Sequence, residues 1–437
     1  MIKRYYNGVA LPRTTICCSA LALTIAGVGG TTDPVPAEPA ALFPLRPART
    51  LALTSALTVP PAFNGARGYF PIEGDRLAAY DLDTGEELWM MPARTQSRPA
   101  AGGGLVFIAV PDALAALREA DGSEAWRLPL TDRLVAPLVW DNGWLVAATA
   151  SGTVLALRAV DGELIWQRDL GSPLSAPPAL AADRVYAPAK DGRIVALRID
   201  TGEPLWERRI GGSPSEMLAL DDRLYVGSDD NFFYCLTART GQIDWRWRTG
   251  GDVVGAAVVD ARRVYFVSFD NILRGLDRRS GAQRWKRPLP FRPLTGPAMA
   301  GATVITSGVT PPLRAFLTKD GAPGGEVTIE GEVAAPPYVV TGSHLPLLVV
   351  VARDIAKGTT VTVFTRDFEP AVVPIAPLPN IVPMGPPAKP GETVPKPGEA
   401  VPKPGEAVPK PGEAVPKPGE QPLAKPGDVP AATTTAP

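Results

Sequence analysis

The chain carries few of the side chains that perform acid–base, nucleophilic or metal chemistry. His344 is its one histidine, which removes Ser-His-Asp and Cys-His arrangements and multi-histidine metal sites. Cys235 has no Cys-x-x-Cys partner, and the glycines at 102–104 are predicted to form a turn because no phosphate-cradling loop and helix follow them. The sequence therefore gives no candidate catalytic, cofactor-binding or metal-ligating residue, and His344 is predicted to be a surface residue.

Composition narrows the remaining classes of function. The 437 residues include 44 Lys and Arg against 45 Asp and Glu, for a formal net charge of −1. This balance argues against a nucleic-acid footprint or a polybasic membrane patch. The hydrophobic fraction of 45% is sufficient for a sizeable core. The composition favours a large globular domain whose partners are not polyanions.

A repeat of about forty residues organises the chain. A small residue and an apolar residue are followed by a polar stretch, a glycine, three residues and a tryptophan. The six complete copies contain Gly85, Gly122, Gly162, Gly202, Gly241 and Gly281, with Trp89, Trp126, Trp166, Trp206, Trp245 and Trp285. A seventh copy keeps Gly321 but has Gly325 in place of the tryptophan, and an eighth, degenerate copy lies near residues 361–364.

Each repeat has the pattern of four short antiparallel strands. Two apolar runs flank a turn such as Asp161-Gly162, where glycine accepts the positive φ of a hairpin. A second turn, such as Asp191-Gly192, precedes each pair, and two further apolar segments come before it. Four such strands make one propeller blade. The sequence therefore predicts an all-β, eight-bladed β-propeller over residues 55–380, with seven blades as the alternative.

The repeated tryptophans are assigned a structural role. One blade cannot bury both of its faces, so its neighbours must cover them. A tryptophan offers a large flat surface for this purpose, and its N–H can reach a backbone carbonyl. Cys235 occupies the position that holds alanine in most copies, so we expect a small buried thiol there.

Three arginines form the one candidate partner-binding set. Arg118, Arg158 and Arg198 hold the same position in three consecutive repeats, so a ring of blades would place them along one arc. Arginine binds carboxylates bidentately and is favoured at interfaces. The alternative is a solvated strand position in an arginine-rich domain, and the sequence leaves both interpretations open.

These repeats resemble those of the pyrroloquinoline-quinone (PQQ) propeller superfamily from about residue 66 to 327, and more weakly to about residue 377. Part of that superfamily consists of dehydrogenases. They need PQQ, a calcium ion held by carboxylate and amide oxygens near the central channel, an aspartate base and stacking rings. Some carry adjacent cysteines over the cofactor, whereas the adjacent Cys17 and Cys18 here lie in a predicted export signal.

Another branch of the superfamily is the propeller component of the outer-membrane barrel-assembly machinery, an eight-bladed periplasmic scaffold. Similar size, short blades and predicted export fit this branch. The added tail and the lack of a lipoprotein cysteine depart from it. We therefore expect a non-enzymatic, monomeric scaffold that binds envelope proteins and no cofactor. A PQQ- and calcium-dependent dehydrogenase and a ligand-sensing propeller are the alternatives.

The two ends of the chain are predicted to lie outside the repeats. Residues 1–30 read as a signal peptide for the bacterial periplasm or cell surface, with an uncleaved anchor as the alternative. Residues 31–54 read as a Pro/Ala-rich linker whose last part pairs into the first or last blade. Residues 381–437 repeat Lys-Pro-Gly-Glu, which favours an extended disordered segment. That tail is interpreted as a spacer or, equally, as a dispensable solubilising segment.

Overall fold

The computed structural model describes residues 42–134, 136–340 and 347–367. The chain divides into two units, Met1–Pro370 and Ala371–Pro437, and the described residues belong to the first. His344, the cysteines at 17 and 18, the predicted signal peptide and the Lys-Pro-Gly-Glu segment lie outside the described residues. The described ranges contain β-strands and no helix, as predicted for an all-β chain.

The first strand of the chain and the first three blades come from the N-terminal part of the described residues. Strand β1 is Leu45–Ala52. The first blade contains β2 (Ala62–Asn64), β3 (Arg67–Ile72), β4 (Arg76–Asp81) and β5 (Glu87–Pro92). The second contains β6 (Ala100–Gly102), β7 (Leu105–Val110), β8 (Ala113–Arg118) and β9 (Glu124–Pro129). The third contains β10 (Val139–Asp141), β11 (Trp144–Ala148), β12 (Thr153–Arg158) and β13 (Leu164–Asp169).

The next four blades repeat the same order. The fourth contains β14 (Ala179–Ala181), β15 (Arg184–Pro188), β16 (Arg193–Arg198) and β17 (Pro204–Arg209). The fifth contains β18 (Pro214–Leu220), β19 (Arg223–Ser228), β20 (Phe232–Thr237) and β21 (Ile243–Arg248). The sixth contains β22 (Val253–Val259), β23 (Arg263–Ser268), β24 (Ile272–Asp277) and β25 (Gln283–Pro288). The seventh contains β26 (Ala298–Ala300), β27 (Thr303–Thr306), β28 (Leu313–Leu317) and β29 (Pro323–Val327).

The eighth blade joins the two ends of the described chain. It contains β30 (Glu332–Val333), β31 (Tyr338–Val340), β32 (Leu347–Asp354), β33 (Gly358–Arg366) and β1. Strand β1 pairs antiparallel with β33, from Leu45 opposite Arg366 to Ala52 opposite Thr360. The eight-bladed prediction is confirmed. The strand that closes the ring lies inside residues 31–54, in the last part of the segment predicted as a linker.

Each of the first seven blades is an antiparallel sheet whose strands follow chain order, and we call them A to D. The A strands of neighbouring blades contact one another, so they surround the central axis. Because the strands alternate in direction, the A–B and C–D turns lie on one face of the ring, which we call the turn face. The B–C turns and the D–A connections lie on the opposite face, which we call the connection face.

Phe43 explains the missing tryptophan of the seventh repeat. It precedes β1, is only 9% exposed, and belongs to a core cluster with Leu313 and Leu348. A Cβ atom on Gly325 would overlap the Phe43 ring. The ring of Phe43 therefore occupies the space beside the seventh blade's D strand, and the chain end that closes the ring also covers this position.

We expect Phe43→Ala to lower the free energy of unfolding by about 3 kcal/mol, because it leaves a cavity against Gly325 at the ring closure. Urea denaturation followed by tryptophan fluorescence measures this loss. Ile355→Ala is the control, since Ile355 is fully exposed and should change stability by no more than about 0.5 kcal/mol. Equal losses for the two variants would contradict the role assigned to Phe43.

Candidate functional site

The repeated tryptophans lie between adjacent blades. Trp166 sits directly opposite Ala156 across the C–D strand pair, and its ring contacts Gly202 of the next blade. Its Nε1 donates a hydrogen bond to the carbonyl of Ile199 at 2.7 Å. The same bond forms from all six tryptophans to the following blade, over 2.7–3.2 Å.

This contact explains the two small residues of the repeat. Alanine, cysteine or glycine stands opposite the tryptophan in the partner strand, as Cys235 does opposite Trp245. The turn glycine has a positive φ, +68° at Gly202, and a Cβ atom there would lie 2.6 Å from the Trp166 ring. Glycine is therefore required both by the backbone conformation and by the stacked ring.

Arginine and tyrosine side chains reinforce the same junctions. Two residues after the tryptophan, an arginine donates through Nε to the carbonyl of the next blade's turn glycine. These pairs are Arg168 with Gly202, Arg208 with Gly241 and Arg287 with Gly321, at 2.6–2.9 Å. Tyr186 and Trp206 both donate to the carbonyl of Ala238. Sequence reasoning missed these bonds, although the recurring arginine was visible in the repeat.

At the junction between the first and second blades, Glu119 occupies the position that holds Ala159, Ile199 and Ala238 at the next three junctions. It is buried and accepts a hydrogen bond from Asn64 at 2.7 Å, with Arg67 nearby at 3.9 Å. Burial, followed by the Glu119 charge, raises the pKa of Tyr69. The phenol therefore stays protonated, and this cluster acts as a neutralised polar contact between blades.

The three arginines predicted to bind a partner lie at the ends of consecutive C strands, on the turn face. Each is occupied within its own blade. Arg118 Nη1 donates to the carbonyl of Glu124 at 3.0 Å, Arg158 pairs with Asp161 at 2.8 Å, and Arg198 Nε donates to Asp200 at 2.9 Å. The charges of Arg158 and Arg198 are therefore paired with carboxylates, whereas Arg118 bonds to neutral groups only.

The central channel holds two charged side chains without partners. Cavities of about 470 and 380 Å³ share Arg98, Pro177, Glu216 and Ala256. The larger one is lined by residues of seven blades, mostly Ala, Pro, Gly, Ser and Thr. Within the described ranges, neither Arg98 nor Glu216 forms a hydrogen bond or ion pair. Arg98 precedes the A strand of the second blade and therefore lies at the connection-face end of the channel.

A separate cavity of about 330 Å³ opens on the connection face at the first and second blades. Its lining is Thr58, Ile72, Asp75, Ala93, Arg94, Thr95, Gln96 and Arg133. The side chains of Arg94 and Arg133 make no hydrogen bond or ion pair with another described residue. Exposed Leu294, Val309 and Ile355 lie elsewhere on this face. Sequence reasoning missed this surface because its residues belong to connections that differ from repeat to repeat.

Titratable groups elsewhere serve the structure. Among the described residues, no three acidic, cysteine or histidine side chains converge on a possible metal position. Burial raises the pKa of the Cys235 thiol to about 11, against the opposing effect of Arg223.

Arg274 forms a buried ion pair with Asp270 and donates to Ser268 at 2.7 Å. Burial opposes the Asp270 charge, but bonds from Arg274, Ser268 and the Gly250 N–H outweigh it and lower the pKa to about 2.

Comparison with protein families identifies one match. A family model described as outer membrane protein assembly factor BamB matches residues 73–221 and 212–340, which together span more than half of the chain. No curated protein matches the sequence. None of the residues that the structure describes forms a helix long and apolar enough to traverse a bilayer.

Solved structures share the fold. BamB from Moraxella catarrhalis is 22% identical with a TM-score of 0.60, over 75% of this chain and 98% of that one. The computationally designed Ika8 protein is 18% identical with a TM-score of 0.62, over 72% and 98%. Quinohemoprotein alcohol dehydrogenase from Comamonas testosteroni is 14% identical with a TM-score of 0.58, over 74% and 76%. At these identities the likeness shows the fold alone.

We expect Gly202→Ala to destabilise the chain more than Gly143→Ala, by roughly 2 kcal/mol. Both glycines have positive φ, but nothing lies within 4 Å of a Cβ at Gly143, whereas the Trp166 ring meets one at Gly202. The comparison thus separates ring overlap from backbone strain. Urea denaturation measures the loss of unfolding free energy in each variant. Equal losses would contradict the stacking of the Trp166 ring on Gly202.

We expect acid to remove the stabilisation supplied by Asp270. Its folded pKa of about 2 lies below the unfolded value of roughly 3.9. The stabilisation is therefore present above about pH 4 and is lost as the pH falls towards 2. Asp270→Asn should flatten the fall in unfolding free energy across this interval, and should cost about 3 kcal/mol at pH 7 by leaving Arg274 unpaired.

Asp161→Asn is the control for that measurement, since the Arg158–Asp161 pair is exposed and should contribute less than about 1 kcal/mol. If the unfolding free energy of Asp270→Asn fell between pH 4 and pH 2 as steeply as that of the parent chain, the stabilising role of the Asp270 carboxylate would be contradicted.

Proposed function

Since the chain belongs to the family of the outer membrane protein assembly factor BamB, we propose that it is a non-catalytic protein-interaction scaffold of the bacterial cell envelope. We further propose that it works in outer-membrane protein assembly. The observation that carries the proposal is the family match over the propeller. The short turns and connections of the blades support it, because they leave two broad faces for protein contacts.

The connection face is the proposed docking surface. Arg94, Arg98 and Arg133 lie there without partners among the described residues, beside two cavities. Arginine is enriched at protein interfaces and binds planar carboxylates bidentately. On the turn face, in contrast, the arginines at positions 118, 158 and 198 already pair within their own blades. A partner therefore gains more new charge-assisted hydrogen bonds from Arg94, Arg98 and Arg133 than from these three arginines of the turn face.

A PQQ- and calcium-dependent dehydrogenase is the alternative from another class. Such an enzyme needs several carboxylate and amide oxygens beside a flat aromatic ring. The larger channel cavity offers one carboxylate, Glu216, and no aromatic side chain among its lining residues. The smaller one adds Asp141 and Trp140, but no side-chain amide lines either cavity, and no three acidic side chains converge among the described residues. These residues do not fit a calcium-bound quinone. The fold shared with a quinohemoprotein dehydrogenase is compatible with either activity, so the choice depends on the residues of the site. The few oxygen ligands that line the channel favour the scaffold.

Export to the periplasm or cell surface is part of the proposal. It is supported by the charged and apolar pattern of residues 1–30 and by the family match. The Lys-Pro-Gly-Glu segment is proposed as a spacer. At about 3.1 Å per residue, its length would allow a reach on the order of 100 Å.

We expect cross-linked full-length protein, purified from its native envelope, to carry outer-membrane protein assembly components with it. Exchanging Arg94, Arg98 and Arg133 together for glutamine should lower their recovery at least tenfold, because the three unpaired guanidinium groups supply the charged contacts. The same exchange at Arg118, Arg158 and Arg198 tests the turn-face arc, and we expect a smaller loss.

The outcomes of this purification separate the alternatives. Recovery of no assembly component by the parent chain would contradict the proposed function. Loss confined to the second triple variant would place docking on the turn face instead. Reduction of an electron-acceptor dye after addition of PQQ and calcium would support the dehydrogenase.

A further inference from the structure

The cavity at the first and second blades combines unpaired cations with a buried hydroxyl that lacks a partner. We propose that it binds a carboxylate side chain from an acidic segment of the partner protein. The proposal rests on the scaffold function and names the chemistry that the connection face recognises. Thr95 is the buried group that points to a ligand, and Arg94 and Arg133 supply the charge.

Thr95 is only 9% exposed, yet its Oγ1 has no hydrogen-bond partner among the residues that the structure describes. A buried hydroxyl without a partner costs free energy, so one that persists calls for an explanation. Thr95 lines the cavity, and its backbone N–H donates to the carbonyl of Ala93 at 3.0 Å. Its backbone is therefore fixed, and its hydroxyl oxygen lies in the cavity wall with almost no accessible surface, so a small shift of this wall must precede a bond to an entering group.

The charge in the cavity favours an anion. Arg94 and Arg133 line it together with one carboxylate, Asp75. Within the described part of the chain, the side chains of all three lack hydrogen bonds and ion pairs. The excess of one positive charge, beside the amide of Gln96 and the hydroxyl of Thr58, suits a single carboxylate. A cavity of about 330 Å³ is large enough to admit an aspartate or glutamate side chain.

The equivalent connections of the next blades lack this combination. Thr95 follows the repeat tryptophan by six residues, where the second and third blades have Asp132 and Ser172. Asp132 Oδ2 accepts the Ser151 N–H at 2.9 Å, and Ser172 Oγ donates to the carbonyl of Pro173 at 3.4 Å. Those side chains are satisfied within the fold, whereas Thr95 is not. Propeller packing alone therefore does not account for Arg94 and Thr95.

The test is a calorimetric titration of the purified full chain with an acetylated, amidated tetraglutamate peptide, with tetraglutamine as the uncharged comparison. We expect saturable binding of tetraglutamate with a Kd below about 1 mM and none of tetraglutamine. Arg94→Gln and Arg133→Gln should each weaken binding at least tenfold. Thr95→Val should weaken it severalfold without lowering the thermal unfolding midpoint, because valine fills the same space and removes the unsatisfied hydroxyl.

Arg239→Gln is the matched control, since Arg239 is exposed on the opposite, turn face and has no ion pair among the described residues. Absence of saturable binding by the parent chain would overturn the proposal, as would equal weakening by Arg239→Gln or equal affinity for tetraglutamine. A lower unfolding midpoint for Thr95→Val would assign the hydroxyl to the fold and overturn its role. The titration contains no envelope protein, so its failure would not contradict the scaffold function. The co-purification experiment tests that function separately.

Discussion

The architecture depends on one contact, a tryptophan ring placed over the turn glycine of the next blade while its N–H donates to a carbonyl there. A single four-stranded blade exposes two apolar faces, so its stability comes from its neighbours. The tryptophan covers the junction and ties it through a directed bond, as Trp285 does with Thr318 at 3.0 Å. The small residue opposite the ring and the glycine under it follow from the same geometry.

Closure of the ring imposes the remaining constraint. The eighth blade has no repeat tryptophan, and the N-terminal strand β1 provides its outermost strand. Gly85 of the first blade therefore meets Arg49 and Leu51 instead of an indole ring, and Phe43 covers Gly325. The N-terminal segment thus replaces both missing stacking contacts. Because the junctions are packed by these contacts, the turns and connections on the two faces can vary without disturbing them. Functional residues can therefore lie in those turns and connections.

Residue spacing was sufficient to predict the fold because the repeat recurs through local strand pairing. The six tryptophans and their glycines, the hairpins and the eighth copy near Val361 could all be located in this way. The substitution of Phe43 for a tryptophan could not, since it joins positions nearly 300 residues apart. The cavity was missed for a related reason: Arg94 and Arg133 come from successive connections, and neither repeats. The arc of arginines was visible in the sequence. The pairing of Arg158 with Asp161 and of Arg198 with Asp200 was not, because it depends on turn geometry.

The central claim is that the connection face of this propeller receives an envelope protein. The most direct measurement is hydrogen–deuterium exchange of the full chain, alone and bound to its co-purified outer-membrane assembly complex. The account predicts slower exchange in residues 93–98 and 131–134 on binding, with unchanged exchange in the turn-face segments 119–123 and 159–163. Protection confined to the turn-face segments, or no protection on either face, would contradict it.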